Sequence, residues 1–405
     1  MVSPFLNRQH GTELCVIEQI ERLARLPGWN IHLYSQKVED VCGVHADSPM
    51  AENQEHKILW HQVSTGPGPH LFQYLWWFLA NQWQRRRDRI AGKVTPDLVY
   101  SPGINCLDAD VIVVHIVFQE FYDRVKSELR FEKTGLRNLP RVIHRRLYYK
   151  LIMALERKVY RNPAVRLIAV SHSLARHLEA HFGRTDVTVI PNAVDPERFS
   201  EGKRLERRVA SRNSMHFGED EFVVLLIGND WKNKGLETLV RAAGLLRDIP
   251  LRLLIVGGDD PAMFRNVLED LSMQDRVRFE APARDVMRFY SAADLYAGPS
   301  LEDSFGLPIL EAMACGLPVI ASAKAGASEI IHDGETGVVF RDPRDPVQLA
   351  HLIRRIYDEG SIRIDLGKTA SRYVKTNCGW DENAEQTRKV LESIATAGPN
   401  GEPSL

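Results

Sequence analysis

Short apolar runs alternate with amphipathic stretches along most of the 405 residues. The first half offers runs at 2–6, 30–35, 58–63, 98–101, 111–117, 165–171 and 187–190. The second offers FVVLLIG (222–228), LRLLIVGG (251–258), VRFEAP (277–282), DLYAGPS (294–300), PVIASA (318–323) and TGVVF (336–340). They are rich in Val, Ile and Leu and almost continuously apolar, which predicts parallel strands covered on both faces. Between the first two runs, Leu14, Ile17, Ile20, Leu23 and Leu26 recur at near-helical spacing and predict a helix over about 13–26. The alternation predicts an α/β chain of βαβ units, arranged as two Rossmann-like doubly wound domains facing each other across a cleft, with ligands at the carboxyl ends of the strands.

The turn PNAVDPERF (191–199) closes the first half, and residues 200–220 are polar without strand pattern, which reads as a linker. The expected domains are therefore 1–199, on the acceptor side, and 200–375, for a donor. A helix over 376–395 returns to the first domain, and a disordered tail occupies 396–405. The first strand begins almost at residue 1, so the start is short or the strand is clipped. A hydrophobic share of 44% and a charged share of 26% fit a globular protein, and a net charge of −1 argues against a nucleic-acid partner. The five scattered cysteines form no CxxC pair, so neither a disulfide framework nor a zinc site is indicated and a cytoplasmic location is expected. No run reaches the roughly 18 apolar residues of a membrane span, and no signal peptide is recognised. Asp108-Ala-Asp110 reads as a turn rather than a metal motif, Asp259-Asp260 as a helix start, and no Walker motif is present.

GPSLEDSFGLPILEAMACGLPVIAS (298–322) carries the chemistry. A strand ends at Pro299, a polar loop follows, and Pro308 sits where a helix starts. The backbone N–H groups of Phe305, Gly306 and Leu307 then face an anion at a helix N-terminus, with Gly306 permitting close approach. Asp303 in the loop and Glu311 in the first helical turn can line one pocket and accept hydrogen bonds from sugar hydroxyls. This segment resembles the retaining glycosyltransferases of family 4, which have the GT-B fold. Their signature is a pair of acids set around FGLxxLEAMAxG; here Asp303 stands where the first glutamate usually is. The resemblance implies that the first acid and the loop amides hold the donor sugar and the second acid the ribose. It also implies a nucleotide diphosphate sugar as co-substrate, no cofactor, and no metal.

Other segments agree with the resemblance. GNDWKNKGLETL (228–239) places Lys234 where the donor phosphates are met; relatives often carry an arginine where Asn229 stands. The same segment is similar to that of lipopolysaccharide-core glucosyltransferases, which makes a UDP-sugar the default donor. PFLNRQHGTE (4–13) holds Gly11 and Thr12 at the start of the first helix, facing the diphosphate or sugar. His115 ends an apolar strand, near where related enzymes touch the donor sugar. The catalytic set is thus Lys234, Asp303 and His115, with Gly11, Thr12, Asn229, Phe305, Gly306, Leu307 and Glu311 binding donor. The acceptor is expected to be a saccharide or lipid-linked, in cell-envelope polysaccharide or lipopolysaccharide synthesis. An inverting transferase with His10 as base, a sugar-nucleotide epimerase, and a non-catalytic sugar-nucleotide-binding protein are the alternatives.

Residues 120–161 hold 12 Lys/Arg against 5 Asp/Glu, in a chain otherwise acidic. Ile143, Leu147, Leu151, Leu155 and Val159 suggest one helical face, and Arg145, Arg146 and Lys150 flank Tyr148 and Tyr149. This segment suits an anionic membrane surface, making the enzyme peripheral on the inner face; LFQYLWWFLANQWQRRR (71–87) has a similar mix. A core-packing helix with a solvated basic face is the competing reading.

Overall fold

Parallel strand pairing organises both halves of the computed structural model, which describes residues 1–8, 11–46, 58–126 and 139–395. His10, residues 127–138 and the 396–405 tail lie outside the described residues. Two compact units emerge, Met1–Pro191 with Asn383–Leu405, and Asn192–Glu382. The second unit thus begins at 192 rather than 200.

In the first unit β1 (Phe5–Leu6) leads into α1 (Gly11–Leu23), followed by β2 (Ile31–Ser35), β3 (Lys37–Val38), β4 (Val44–Ala46) and β5 (Ile58–Gln62). Then come α2 (His70–Ile90), β6 (Tyr100–Pro102), β7 (Val111–Val114), α3 (Phe118–Val125), α4 (Leu139–Tyr160), β8 (Arg166–Ala169), α5 (His172–Phe182) and β9 (Thr188–Val189). The pairings run β2-β5-β4 and β6-β7-β8-β9. Residues 1–3 join these two groups, because Val2 N–H donates to Tyr100 O at 3.0 Å and Ser3 N–H to Tyr34 O at 3.1 Å. Val111–Val114 is fully buried, as a strand covered on both faces requires.

Two expectations about helices need correction. In α4 the buried side chains are Tyr149, Ile152, Met153, Glu156, Val159 and Tyr160, while Ile143 and Leu147 are exposed. The inward face is therefore rotated from the one the aliphatic spacing suggested. Tyr149 packs with Phe121 and Tyr122, and Tyr148 stands edge-on to Tyr74. The tyrosine pair is thus a packing element rather than a lipid-facing one.

The segment 200–220 is largely helical rather than an irregular linker. Residues Glu201–Ser214 form a helix, α6, with the Ser200 side chain accepting from Lys203 N–H. Its inner stripe is arginine rather than apolar: Arg204 Nε donates to Cys315 O at 2.7 Å, while Arg208 and Arg212 both reach Asp294. Hydrophobic periodicity is blind to a helix anchored this way.

The second unit continues with β10 (Phe222–Ile227), α7 (Leu236–Gly244), β11 (Leu251–Val256), α8 (Arg265–Asp270), β12 (Val277–Glu280), α9 (Met287–Ala292), β13 (Leu295–Gly298), α10 (Leu307–Ala314), β14 (Val319–Ser322) and β15 (Val338–Phe340). It ends with α11 (Pro346–Asp358) and α12 (Gly360–Asn377). Its sheet is wholly parallel in the order β12-β11-β10-β13-β14-β15. That is the doubly wound order, with its switch point between β10 and β13, where the two halves wind in opposite senses and leave a crevice at the strand ends. Phe222, Val224, Leu226, Leu253 and Ile255 belong to the core under this sheet.

A last helix, α13 (Trp380–Ala395), crosses from one unit to the other in sequence. Asn383 belongs to the first unit, where it accepts from Gln19 Nε2 at 2.9 Å and donates to Pro191 O at 2.6 Å. Among the described residues no helix is long and apolar enough to cross a membrane.

Candidate functional site

The two loops that leave β10 and β13 are stitched together at the switch point of the second unit. Leu301 N–H donates to Asn233 O at 2.7 Å, and Asn233 Nδ2 donates to Glu302 O at 2.7 Å. Trp231, buried at the root of the first loop, packs its ring on Phe264 and Phe279. Gly235 has φ +76°, and a Cβ there would lie 1.9 Å from Pro299 O. The close approach of the loops thus depends on the absence of that side chain. Gly235→Ala is expected to lower unfolding stability by about 2 kcal/mol or more in a urea titration. Nucleotide binding should weaken with it, since the substitution pushes the loops apart.

Lys234 and Asp303 meet here: the Lys234 ammonium donates to Asp303 Oδ2, with both side chains mostly buried. Asp303 is fixed from several sides. Its N–H donates to Lys324 O at 3.0 Å, its carbonyl accepts from Gly326 N–H at 2.9 Å, and Oδ1 accepts from Phe305 N–H at 3.3 Å. The Phe305 amide is therefore shared with the acid rather than wholly free for an anion. Gly306, at φ +92°, is the N-cap of α10, and Leu307-Pro308 opens its first turn. The Gly306 and Leu307 amides and the Lys234 ammonium thus give the loop cluster its positive character.

Glu311 sits one turn deeper in α10 than the sequence suggests, as the fifth residue of that helix. Tyr290 OH donates to its carboxylate, and burial raises the pKa of the Glu311 carboxyl. Tyr290, from α9, is a contributor that no motif flagged; only its place on a buried helix supplies it. Asn229 Oδ1 accepts from Gly258 N–H at 2.9 Å, tying the β10 loop to the β11 loop. Asp260 caps the short turn at Pro261–Phe264, accepting from Ala262 N–H at 2.9 Å.

In the first unit the loop before α1 is held by Arg8, which pairs with both Glu18 and Glu21 on α1 and donates from Nε to Asp40 O at 2.9 Å. Gly11 opens the helix and Thr12 follows it. Thr12 and His115 line the same cavity, of about 210 Å³, together with Tyr74, Asn105, Tyr148 and Tyr160. His115 Nε2 is buried and has no hydrogen-bond partner among the described residues. Burial lowers the His115 pKa to about 4, so near neutrality the ring is uncharged and offers one acceptor nitrogen. An unfolded chain would protonate the same ring from about 6.5 downward. The folded state then binds fewer protons between those values, so the stability contributed by the neutral ring is full above the window and is lost as pH is lowered through it. A His115→Gln variant is expected to lose part of this acid sensitivity in denaturation midpoints measured across the window. The D-x-D pair is engaged in structure: Asp108 pairs with Arg85, and Asp110 Oδ2 accepts from Val99 N–H at 2.6 Å.

A doubly wound unit with a lysine, an acid and a helix start at its switch point defines an α/β protein with an anion-suited crevice, and its relatives name its kind. The family model described as Glycosyl transferases group 1 matches residues 208–373, and that described as Glycosyltransferase Family 4 matches residues 10–198. Together they span most of the chain, which belongs to this glycosyltransferase family. A D-inositol 3-phosphate glycosyltransferase of Paenarthrobacter aurescens is 33% identical over 245 residues, which cover 58% of this chain and 58% of the relative. The chain thus spans less than two thirds of the length of that relative. WaaG, a glycosyltransferase involved in lipopolysaccharide biosynthesis, superposes with a TM-score of 0.72 at 21% identity, covering 96% of this chain and 98% of its own. HepE from Anabaena, solved in complex with UDP and glucose, superposes with a TM-score of 0.66 at 19% identity, covering 97% and 100%. These likenesses establish the GT-B fold.

Proposed function

We propose that this chain transfers a sugar from a nucleotide diphosphate sugar, by default a UDP-sugar, to a saccharide or lipid-linked acceptor with retention of anomeric configuration. The observation that carries the reading is the Lys234–Asp303 pair at the switch point, with Glu311 in the helix that begins beside it. The β- and α-phosphates seat against Lys234 and the Gly306 and Leu307 amides. As the glycosidic bond breaks, negative charge grows on the leaving diphosphate, and a fixed ammonium stabilises it more than the ground state. Asp303 accepts from donor-sugar hydroxyls and Glu311 from the ribose diol. His115, neutral, accepts from a sugar hydroxyl at Nε2. Retention needs no protein nucleophile when the acceptor oxygen bonds to the anomeric carbon on the face from which the diphosphate departs, and the leaving phosphate takes the acceptor proton in place of a protein base. Neither a cofactor nor a metal enters this reading.

The UDP and glucose bound by HepE support the donor. A phosphorylated polyol, as in the name of the inositol relatives, is the other acceptor to consider. Among the described residues the first-unit cavity is lined by neither Lys nor Arg, which favours an uncharged saccharide there. The involvement of WaaG in lipopolysaccharide biosynthesis favours a role in envelope polysaccharide synthesis. In that role the enzyme works in the cytoplasm, peripheral on the inner membrane face, through the net-positive segment 120–161. Water serves as a surrogate acceptor in the test. Fresh mixtures with UDP-α-glucose, followed by proton NMR, should show α-glucose released first. Initial release of β-glucose would replace retention with inversion.

A further inference from the structure

Six large apolar side chains lie exposed on one stripe of α2: Phe72, Leu75, Trp76, Leu79, Trp83 and Ile90. Phe72 is 59% exposed, Leu79 67% and Trp83 65%, whereas Trp77, Asn81 and Asp88 carry the helix inward. The spacing keeps the six on one face for about 27 Å of helix. Beside it α4 adds exposed Ile143 and Leu147. The two helices are joined by Tyr74 edge-on to Tyr148, and by Leu71 N–H donating to His144 Nε2 at 3.2 Å.

Among the described residues, the exposed charges that these two helices themselves carry are all positive. Arg86, Arg87 and Arg89 on α2, and Arg145, Lys150, Arg157 and Lys158 on α4, are exposed. The two helices contain one carboxylate each, and both are buried. Asp88 accepts from Tyr34 OH at 3.1 Å, and Glu156 accepts from the N–H groups of Phe118 and Gln119 at 2.7 and 3.0 Å. An apolar, tryptophan-bearing stripe whose own helices expose arginines and lysines matches the boundary between acyl chains and anionic headgroups. It matches a second copy poorly, since two such faces would oppose like charges.

We propose that the α2 stripe, with the adjoining end of α4, docks on an anionic lipid bilayer, its apolar side chains sunk at the headgroup boundary and its arginines on lipid phosphates. The inference deepens the membrane-side reading above and rests on it for the setting of the acceptor. It also changes the mode, since attachment through an apolar stripe is only partly screened by salt.

The test uses the full chain with vesicles of phosphatidylcholine alone and of phosphatidylcholine with phosphatidylglycerol. Sedimentation should show strong binding to the anionic vesicles, weak binding to the neutral ones, and a fraction that survives about 0.5 M salt. Phe72→Ser/Leu79→Ser/Trp83→Ser should weaken anionic-vesicle binding at least about tenfold and remove the salt-resistant fraction. Arg86→Ser/Arg87→Ser should weaken mainly the salt-sensitive part. Unchanged binding in the triple variant, no binding by the parent chain, or a dimer that only the triple variant dissolves would overturn the proposal. Thermal shift by UDP-sugars, measured on the same samples, separates the two readings. Vesicle binding without a nucleotide-sugar response would leave the docking face standing and remove the transferase reading.

Discussion

Lys234→Ala is expected to slow sugar transfer by about a hundredfold or more, as for loss of a charge contact present in the bound donor and stronger in the transition state. The ammonium sits between two loops whose approach is fixed by Gly235 and by the Asn233 hydrogen bonds, and it already points at Asp303. Little reorganisation is then needed when charge develops on the leaving diphosphate. Removing it also leaves the Asp303 carboxylate, mostly buried, without its cation. The effect should appear in kcat as well as in kcat/KM, because a uniform binding contact would change KM alone. Steady-state release of nucleoside diphosphate checks this, and near-normal turnover would remove Lys234 from the mechanism.

Glu311→Ala and Asp303→Ala are expected to fail in different ways. Glu311 lies within α10 under the Tyr290 hydroxyl, so its loss should weaken binding of UDP itself, by about tenfold or more for a charged hydrogen-bond acceptor. Asp303 lies in the loop beside the helix start, and its loss should leave UDP binding nearly intact while impairing transfer. Calorimetric titration of UDP into both variants, paired with turnover, distinguishes them; a swap of the two phenotypes would reverse the ribose and sugar assignments. The burial that raises the Glu311 pKa also sets a pH direction. UDP affinity should fall as pH is lowered toward the raised value, because protonation removes an acceptor, and Glu311→Ala should flatten that dependence.

The loops that matter here were legible because glycine and proline punctuate them. Gly235, Gly306, Pro308 and Gly316 mark a turn, a cap, a first helical turn and a stop, and the intervening apolar runs are strands of a covered sheet. What the chain concealed was anchored by polar or aromatic chemistry. Helix α6 faces its neighbours with Arg204, Arg208 and Arg212, which apolar periodicity counts as surface. The true inner face of α4 mixes Tyr149, Glu156 and Tyr160 with its aliphatics, and Glu156 is buried because it caps the start of α3. Tyr290 reaches Glu311 from a helix distant in sequence, and Asn229 spends its side chain on a backbone amide. Such partnerships depend on tertiary register and leave no local pattern. The strands β3 and β4 are two and three residues long, too short for alternation to register.

The central claim is that the second unit seats a nucleoside diphosphate sugar at its β10–β13 switch point. Its most direct measurement is calorimetric titration of UDP, GDP and ADP and their glucose conjugates into the full chain and into Lys234→Ala. The account predicts that one nucleotide, UDP by default, binds the parent chain with its sugar conjugate, and that binding of both weakens in the variant. Equal affinity for the parent chain and the variant, or no binding by any of the nucleotides, would contradict it.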